Sequence, residues 1–436
     1  MKNKLKKHIV LIILLAIALV FPTSLSYQAR LNMRVIVTGL AIDKTGDEYM
    51  LTAQIVKTSP GNESPGQSAM IDFVTDKAKN LSEAVSKLAY KAGKVSAFSH
   101  TNFLVLGDSL LKEDVTKCLD YFIRDKVIKN SALVLFSGGS AEEEIKKTKD
   151  TELSVGIGLQ KVFLFKENEG DGLMVTLIDF LNQNKMYSCT SFASELSMHT
   201  NNEAKQEDDK SKSESSSESE GSSDSSSGEG SGSGESYSGG SGGTSSGGGN
   251  SSSKAESQQY FDPETPIVCF VGGKFVGKLK KEEDIDGFML AKNLSQKANV
   301  NVQDVKEGRL KGLPIEVAIK KKKVMSKINY ENGKPILELK IIITKSEIVE
   351  IMEEEIIAGL TDEEFNAVKK GLEKQISSEI KGCFQTTKNF GADVFNAYEK
   401  AYKWKYKETT SLFSDAEEFL KDLGIKIKVE IKQLDY

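Results

Sequence analysis

Phe103-Leu-Val-Leu-Gly107, then Leu119-Asp-Tyr-Phe-Ile-Arg124-Asp125, then Ala132-Leu-Val-Leu-Phe136 is the stretch that sets the fold. The first and last pieces are short unbroken apolar runs, the pattern of strands buried on both faces. Between them Leu110, Val115, Leu119, Phe122 and Ile123 fall on one helical face. Strand, helix and strand in alternation imply a layered α/β arrangement. Working outward, Val35 to Ile42 and Met50 to Ile55 flank Lys44-Thr-Gly46-Asp47 and read as a hairpin. Leu81, Val85, Leu88 and Ala92 mark a helix capped near Asn80 or Ser82. Ser140-Ala-Glu-Glu143 reads as a capping box opening another. Residues 31–199 are therefore expected to form a layered, mixed α/β N-terminal domain.

Beyond it the composition breaks. From about Asn201 to Ser257 the chain is Ser, Gly, Glu, Asp and Lys, with Tyr237 as its only aromatic residue. Too little apolar surface is available there to offset ordering entropy, so 200–259 is expected to be a disordered linker. As a flexible coil it would span about 40 Å between two folded halves. Residues 260–311 read as a small middle domain: a hairpin about Gly272-Gly273, then a helix through Ile285, Phe288 and Met289. Residues 312–436 read as a C-terminal α+β domain. Val324, Ile328 and Tyr330 meet Leu337, Leu339, Ile341 and Ile343 across Asn332-Gly333. Thr361-Asp-Glu-Glu364 opens a long helix through Phe365, Val368, Leu372, Ile376 and Ile380, and Ile425 to Ile431 closes an antiparallel sheet. The fold class is thus α/β and α+β, in several domains.

The N-terminus predicts export. Lys2, Lys4, Lys6 and Lys7 precede an apolar run from Ile9 to Phe21, followed by the small residues Ser24 and Ser26. The run is shorter than the ~20 residues of a comfortable span. Residues 1–30 are therefore a signal peptide cut after Ser26, or a retained anchor. The 436 residues carry a net charge of -5, which disfavours nucleic acid.

Chemistry is sparse. Cys118, Cys189, Cys269 and Cys383 form no CxxC pair and read as buried thiols. His100 and His199 are the whole histidine supply beyond the leader, and His100 reads as half-buried and satisfied. Gly272-x4-Gly277-Lys278 mimics a phosphate loop, but Leu279 stands where a metal-binding hydroxyl is needed. Glu353 to Glu355, and Glu282, Glu283 and Asp284, read as solvated helix ends. Ser140 lacks the trailing glycine of a nucleophile elbow. Arg124 and Asp125 read as a structural pair at a helix-to-strand corner, so Arg124→Ala is expected to lower the melting temperature. No catalytic, cofactor-binding or metal residues are assigned.

Several segments carry a resemblance in consistent order. Leu119 to Asp125 with Asn130 to Phe136 resembles the Ger(x)C family, the C subunits of spore nutrient-germinant receptors. Val37 to Lys44 resembles that family's opening strand, and Lys91 to His100 with Phe103 to Gly107 its central block. Gly273 to Leu279 resembles its second-domain hairpin, Asn332 to Pro335 its third-domain turn, and Gly391 to Phe395 with Trp404 its late helix pair. The resemblance implies a non-enzymatic extracytoplasmic subunit at the spore inner membrane. Its partners would be A-type and B-type integral-membrane subunits, in a complex sensing a small-molecule germinant. The chain departs from the family at Ser26, where a lipid-bearing cysteine is usual, so no lipidation is expected there. The alternative reading is an exported solute-binding or scaffold module unrelated to germination, with a hydrolase behind it.

Overall fold

Gly46, at φ +59, lets Arg34–Thr45 (β1) turn back along Glu48–Lys57 (β2), and Met70–Ala78 (β3) pairs antiparallel on the far side. Leu81–Lys91 (α1) starts at Asn80, whose side chain accepts the Glu83 N–H. The short strand Val95–Ala97 (β4) runs beside the start of β1, and Phe103–Leu106 (β5) lies parallel to it farther along. Val115–Arg124 (α2) crosses to Leu133–Ser137 (β6), parallel to β5. Ala141–Lys147 (α3), Ile157–Glu169 (α4) and Leu177–Asn184 (α5) precede Thr190–Leu196 (β7), parallel to β6. The side chains of β5 and β6 are all buried, which is why their sequence shows no alternation.

These elements belong to a computed structural model that describes residues 34–57, 70–92, 95–125, 127–148, 157–170, 172–200, 259–261, 265–303, 305, 308–351 and 360–435. The leader, the Ser/Gly stretch 201–258 and Glu353 to Glu355 lie outside them. Among the described residues no helix is long and apolar enough to cross a membrane. Residues 198–261 form a separate small unit, in which Met198–Thr200 (β8) pairs antiparallel with Gln259–Phe261 (β9).

The hairpin expected to open a middle domain belongs elsewhere. Ile267–Val271 (β10) pairs antiparallel with β7, and Lys274–Leu279 (β11) pairs with β10. One sheet therefore runs β11-β10-β7-β6-β5-β1-β2-β3, drawing strands from both sides of the Ser/Gly stretch. The parallel centre is flanked by antiparallel hairpins. Phe270 carries this join into the core, its ring 4.6 Å from Phe136 and 5.4 Å from Phe180. The long stretch thus links neighbouring strands of one sheet, and closure entropy grows only slowly with such a loop's length.

The second sheet follows. Glu282–Ala291 (α6) leads to Ala298–Val302 (β12), which pairs antiparallel with Ile315–Glu331 (β13). Lys334–Ile351 (β14) returns from a turn at Asn332 and Gly333, at φ +53 and +76. Asp362–Asn389 (α7) begins at a full capping box between Thr361 and Glu364 and buries Val368, Leu372, Ile376 and Ile380. Arg309 grips Glu364 with two 2.9 Å bonds and, with the Thr361 backbone N–H, holds that carboxyl down to about 2. Ala397–Trp404 (α8), Tyr406–Leu412 (α9) and Ala416–Asp422 (α10) lead to Gly424–Ile431 (β15), and Leu434–Asp435 (β16) ends the chain's strands. Both pair parallel with β14, so the expected antiparallel sheet is mixed. The helices between β14 and β15 supply the crossover that parallel pairing requires.

Two buried charges mark α6 and α7. Lys322 donates to the carbonyls of Met289 (2.8 Å), Leu290 (3.4 Å) and Lys292 (3.0 Å), satisfying the C-terminal end of α6. Burial pulls its ammonium down to about 8, which leaves it charged at neutral pH. Lys322→Met keeps the stem and loses the cap. We expect a loss of about 2 kcal/mol and a melting temperature lower by about 4–8 °C; calorimetry at pH 7 measures both.

Glu379 of α7 is 7% exposed, with one oxygen bonded to Gln375 Nε2 at 2.8 Å and the other without a hydrogen-bond partner among the described residues. Burial, reinforced by Asp286, Glu283 and Glu282, pushes this carboxyl up to about 7. Between the unfolded value near 4.5 and that folded value, the folded state binds more protons, so stability falls as pH rises through the window. Glu379→Gln should flatten this slope. The variant should outlast the parent by about 2–3 kcal/mol at pH 8 and match it at pH 4. Equal melting curves at pH 8 would contradict it.

Candidate functional site

The residues that drew attention in the sequence separate into joints and exposed groups. Asp43, at the end of the opening strand, accepts the N–H groups of Ala141 (3.0 Å) and Glu142 (2.9 Å) and the Ser140 hydroxyl (3.3 Å). It is a buried cap on α3. Gly107 is required beside it, since a Cβ there would lie 1.8 Å from Asp43 Oδ1. Ser140 caps the same helix through the Glu143 N–H. The Gly272–Lys278 stretch is a turn and strand, with Gly272 and Gly273 at positive φ in the turn and Gly277 within β11, not the loop-to-helix of a phosphate site. Lys278 pairs with Glu195 at 2.5 Å.

His100, Cys189 and Arg124 depart from expectation. His100 is exposed in a short 3₁₀ turn rather than half-buried, and His199 lies in β8. Cys118, Cys269 and Cys383 are buried, and burial pushes the first two thiols up to about 12, far from a reactive thiolate. Cys189 is exposed in a turn at φ +49. Arg124 is 69% exposed and reaches Asp120 and Asp125 only at 3.6 and 3.7 Å. Such surface pairs contribute little, so Arg124→Ala should leave the melting temperature nearly unchanged. Glu282 and Glu283 start α6, while Asp284 is buried and accepts the Thr386 hydroxyl at 3.0 Å. Among the described residues no three His, Cys, Asp or Glu side chains gather as metal ligands.

The best-built site is the seam where the last helices meet the first sheet. Asp393 is buried, and its carboxylate accepts Ala397 N–H and Tyr398 N–H, each at 2.8 Å. It caps α8, whose N-cap residue, Asn396, is left-handed at φ +54. Its own N–H donates to Thr190 Oγ1 of β7 at 3.1 Å. Burial raises this carboxyl, while the bonds from the Ala397 and Tyr398 N–H groups, and the charges of Lys400 and Lys292, pull the other way. Tyr187 N–H donates to Glu399 at 2.8 Å, and the Tyr187 ring lies 4.0 Å from Tyr402. Lys292 sits 4.7 Å from the Phe192 ring and 5.4 Å from Phe288, and desolvation draws it down to about 8. A cleft of about 560 Å³ opens alongside, lined by Ser188, Val271, Val276, Lys388, Phe390 and Lys421, with Asp393 at its edge. Among the described residues the buried Ser188 hydroxyl finds no hydrogen-bond partner there.

The sequence singled out Asp393 only as part of a family-like string. Its capping role has no local signature, because Asp393 reaches past Asn396 to Ala397 and Tyr398. Asp393→Ala strips two helix N–H groups of their acceptor and should cost about 2–3 kcal/mol. Thermal melts should show the loss, and Asp393→Asn should recover part of it.

These joints fall within the two segments that family models match. A family model described as spore germination protein N-terminal domain matches residues 27–193. A second, described as spore germination B3/GerAC like, C-terminal, matches 267–433. Spore germination protein B3 of Bacillus subtilis (strain 168) is 32% identical over 112 residues, 25% of this chain and 29% of that protein. Spore germination protein KC of the same organism is 28% identical over 121 residues, 26% of this chain and 29% of that one. The aligned segments thus span under a third of either relative. A crystal structure of the GerBC protein superposes with a TM-score of 0.46 at 15% identity, covering 90% of this chain and 96% of that one. The matched halves flank the Ser/Gly stretch and include Asp43, Gly107, Gly277 and Asp393, and on this evidence the chain belongs to the Ger(x)C family of spore germination proteins.

Proposed function

We propose that this protein is a non-enzymatic, extracytoplasmic subunit of a spore germinant receptor, acting with A-type and B-type integral-membrane subunits at the spore inner membrane. The observation that carries this reading is the pair of family matches, one on each half of the chain. The chemistry supports it. The acidic groups best placed for catalysis, Asp43 and Asp393, are spent on helix caps, and three of the four thiols are buried. With Ser26 in place of the lipid-bearing cysteine, attachment comes from a retained leader or from the partner subunits. Photometric germination assays test the role. Spores lacking this chain should lose their response to at least one nutrient, and an intact copy should restore it. An unchanged response across an amino acid, sugar and nucleoside panel would contradict the proposal.

The cleft beside Ser188 favours one second reading, in which this chain itself binds a small solute. Titration calorimetry with the same panel tests it: saturable heat that Lys388→Ala removes would support binding here.

A further inference from the structure

The outer face of the second sheet is set apart from the rest of this acidic chain. Across β13, β14 and β15 the residues turned away from the core include Lys327, Lys340, Lys426, Lys428 and Lys432, with Met325 40% exposed among them. Glu331, Glu338 and Glu430 are interspersed acids: Glu338 pairs with Lys327 at 2.9 Å, Glu430 with Lys340 at 2.8 Å and with Lys432, and Glu331 with Lys426. Among the described residues Lys428 has no ion pair. An open groove of about 650 Å³ crosses this face, its lining including Met325, Lys327, Glu338, Lys340, Lys426 and Lys428. A second hollow of about 400 Å³ shares Ser326 and Lys327 with it and is closed on its other side by Trp404 and Lys405. Trp404, the chain's one tryptophan, is 82% exposed, and Tyr406 beside it is 54% exposed.

We propose that this face lies on an anionic lipid surface. Lysines on long stems, one apolar thioether and a projecting indole suit the headgroup region. There ammonium groups meet phosphates while aromatic rings sit at the boundary with the acyl chains. The same features suit a protein partner poorly. Lysine is depleted from protein interface cores, and these shallow grooves offer no deep pocket for an anchoring side chain. The inference adds a lipid contact that the receptor reading does not contain, and it stands or falls without the polytopic subunits.

The single tryptophan makes the test direct. The full chain, leader included, is reconstituted into vesicles of phosphatidylcholine alone or with one third phosphatidylglycerol, each carrying brominated acyl chains. The leader contains no tryptophan, so emission reports only the face around Trp404. In anionic vesicles the emission should shift to the blue and be quenched. In phosphatidylcholine it should stay near its value in water, and added salt should reverse the anionic effect. The double variant Lys426→Glu/Lys428→Glu, checked for native circular dichroism, should need about tenfold more anionic lipid for half-quenching. Soluble glycerol phosphate should neither shift nor compete; competition would assign the face to free phosphate instead. Equal quenching in both lipids, none in either, or no effect of the double variant would overturn the proposal. So would a Trp404 shift seen only on adding the polytopic subunits.

Discussion

Residues 31–199 produced alone will not yield a soluble, cooperatively melting domain, and coexpression with residues 260–436 will restore one. Without the second half β7 loses its β10 neighbour, and a wholly paired strand becomes an exposed edge. Ile267, Val268, Phe270 and Leu279 are at most 1% exposed. Removing them forfeits about 1.5–3 kcal/mol each, a sum comparable with a domain's entire stability of about 5–15 kcal/mol. The start of α2 loses a partner too, since Val115 N–H donates to the Gly273 carbonyl at 2.9 Å. By the same reasoning, a chain nicked within the Ser/Gly stretch should elute as one species and separate only in denaturant. A monomeric 31–199 fragment melting near the full chain's temperature would contradict this.

Gly287→Ala should be the most damaging single methyl addition in the second half. A Cβ at Gly287 would lie 2.2 Å from the Glu379 carbonyl oxygen and 2.5 Å from its carbon, both backbone atoms of α7. No rotamer change relieves that contact, so α6 and α7 must move apart. We expect a cost of about 3 kcal/mol or more, seen as a shifted denaturant midpoint. Gly382→Ala is the matched control. Its nearest neighbour is the Asp284 carboxylate at 3.3 Å, which can yield by tenths of an ångström. Alanine also improves a helix interior by up to about 1 kcal/mol, so that variant should be neutral or slightly more stable.

Much of the fold was legible locally and little of it globally. The apolar runs of β5 and β6, the Asn332-Gly333 turn and the Thr361–Glu364 box each carry their element's signature within a few residues. Residues 267–279 were equally clear as a hairpin. Their partner was not, because periodicity identifies a strand and says nothing of its neighbour. The long polar stretch before them suggested a boundary where the sheet in fact continues. The direction of β15 was hidden for a related reason: alternation is the same in parallel and antiparallel pairs, and only the intervening helices decide. Arg124 looked structural beside an apolar helix, yet it points to solvent. The seam was legible only as scattered letters. Asp393, Thr190 and Glu399 come from segments about two hundred residues apart, and no local spacing reports such a meeting.

Affinity purification of this chain from detergent-solubilised spore membranes, after mild crosslinking, tests the receptor assignment most directly. The account predicts that two polytopic membrane proteins, an A-type and a B-type subunit, follow the chain in constant proportion. It also predicts that they no longer do so when Asp393→Ala loosens the seam. Recovery of the chain alone, or with the components of a transporter and no such pair, would contradict it.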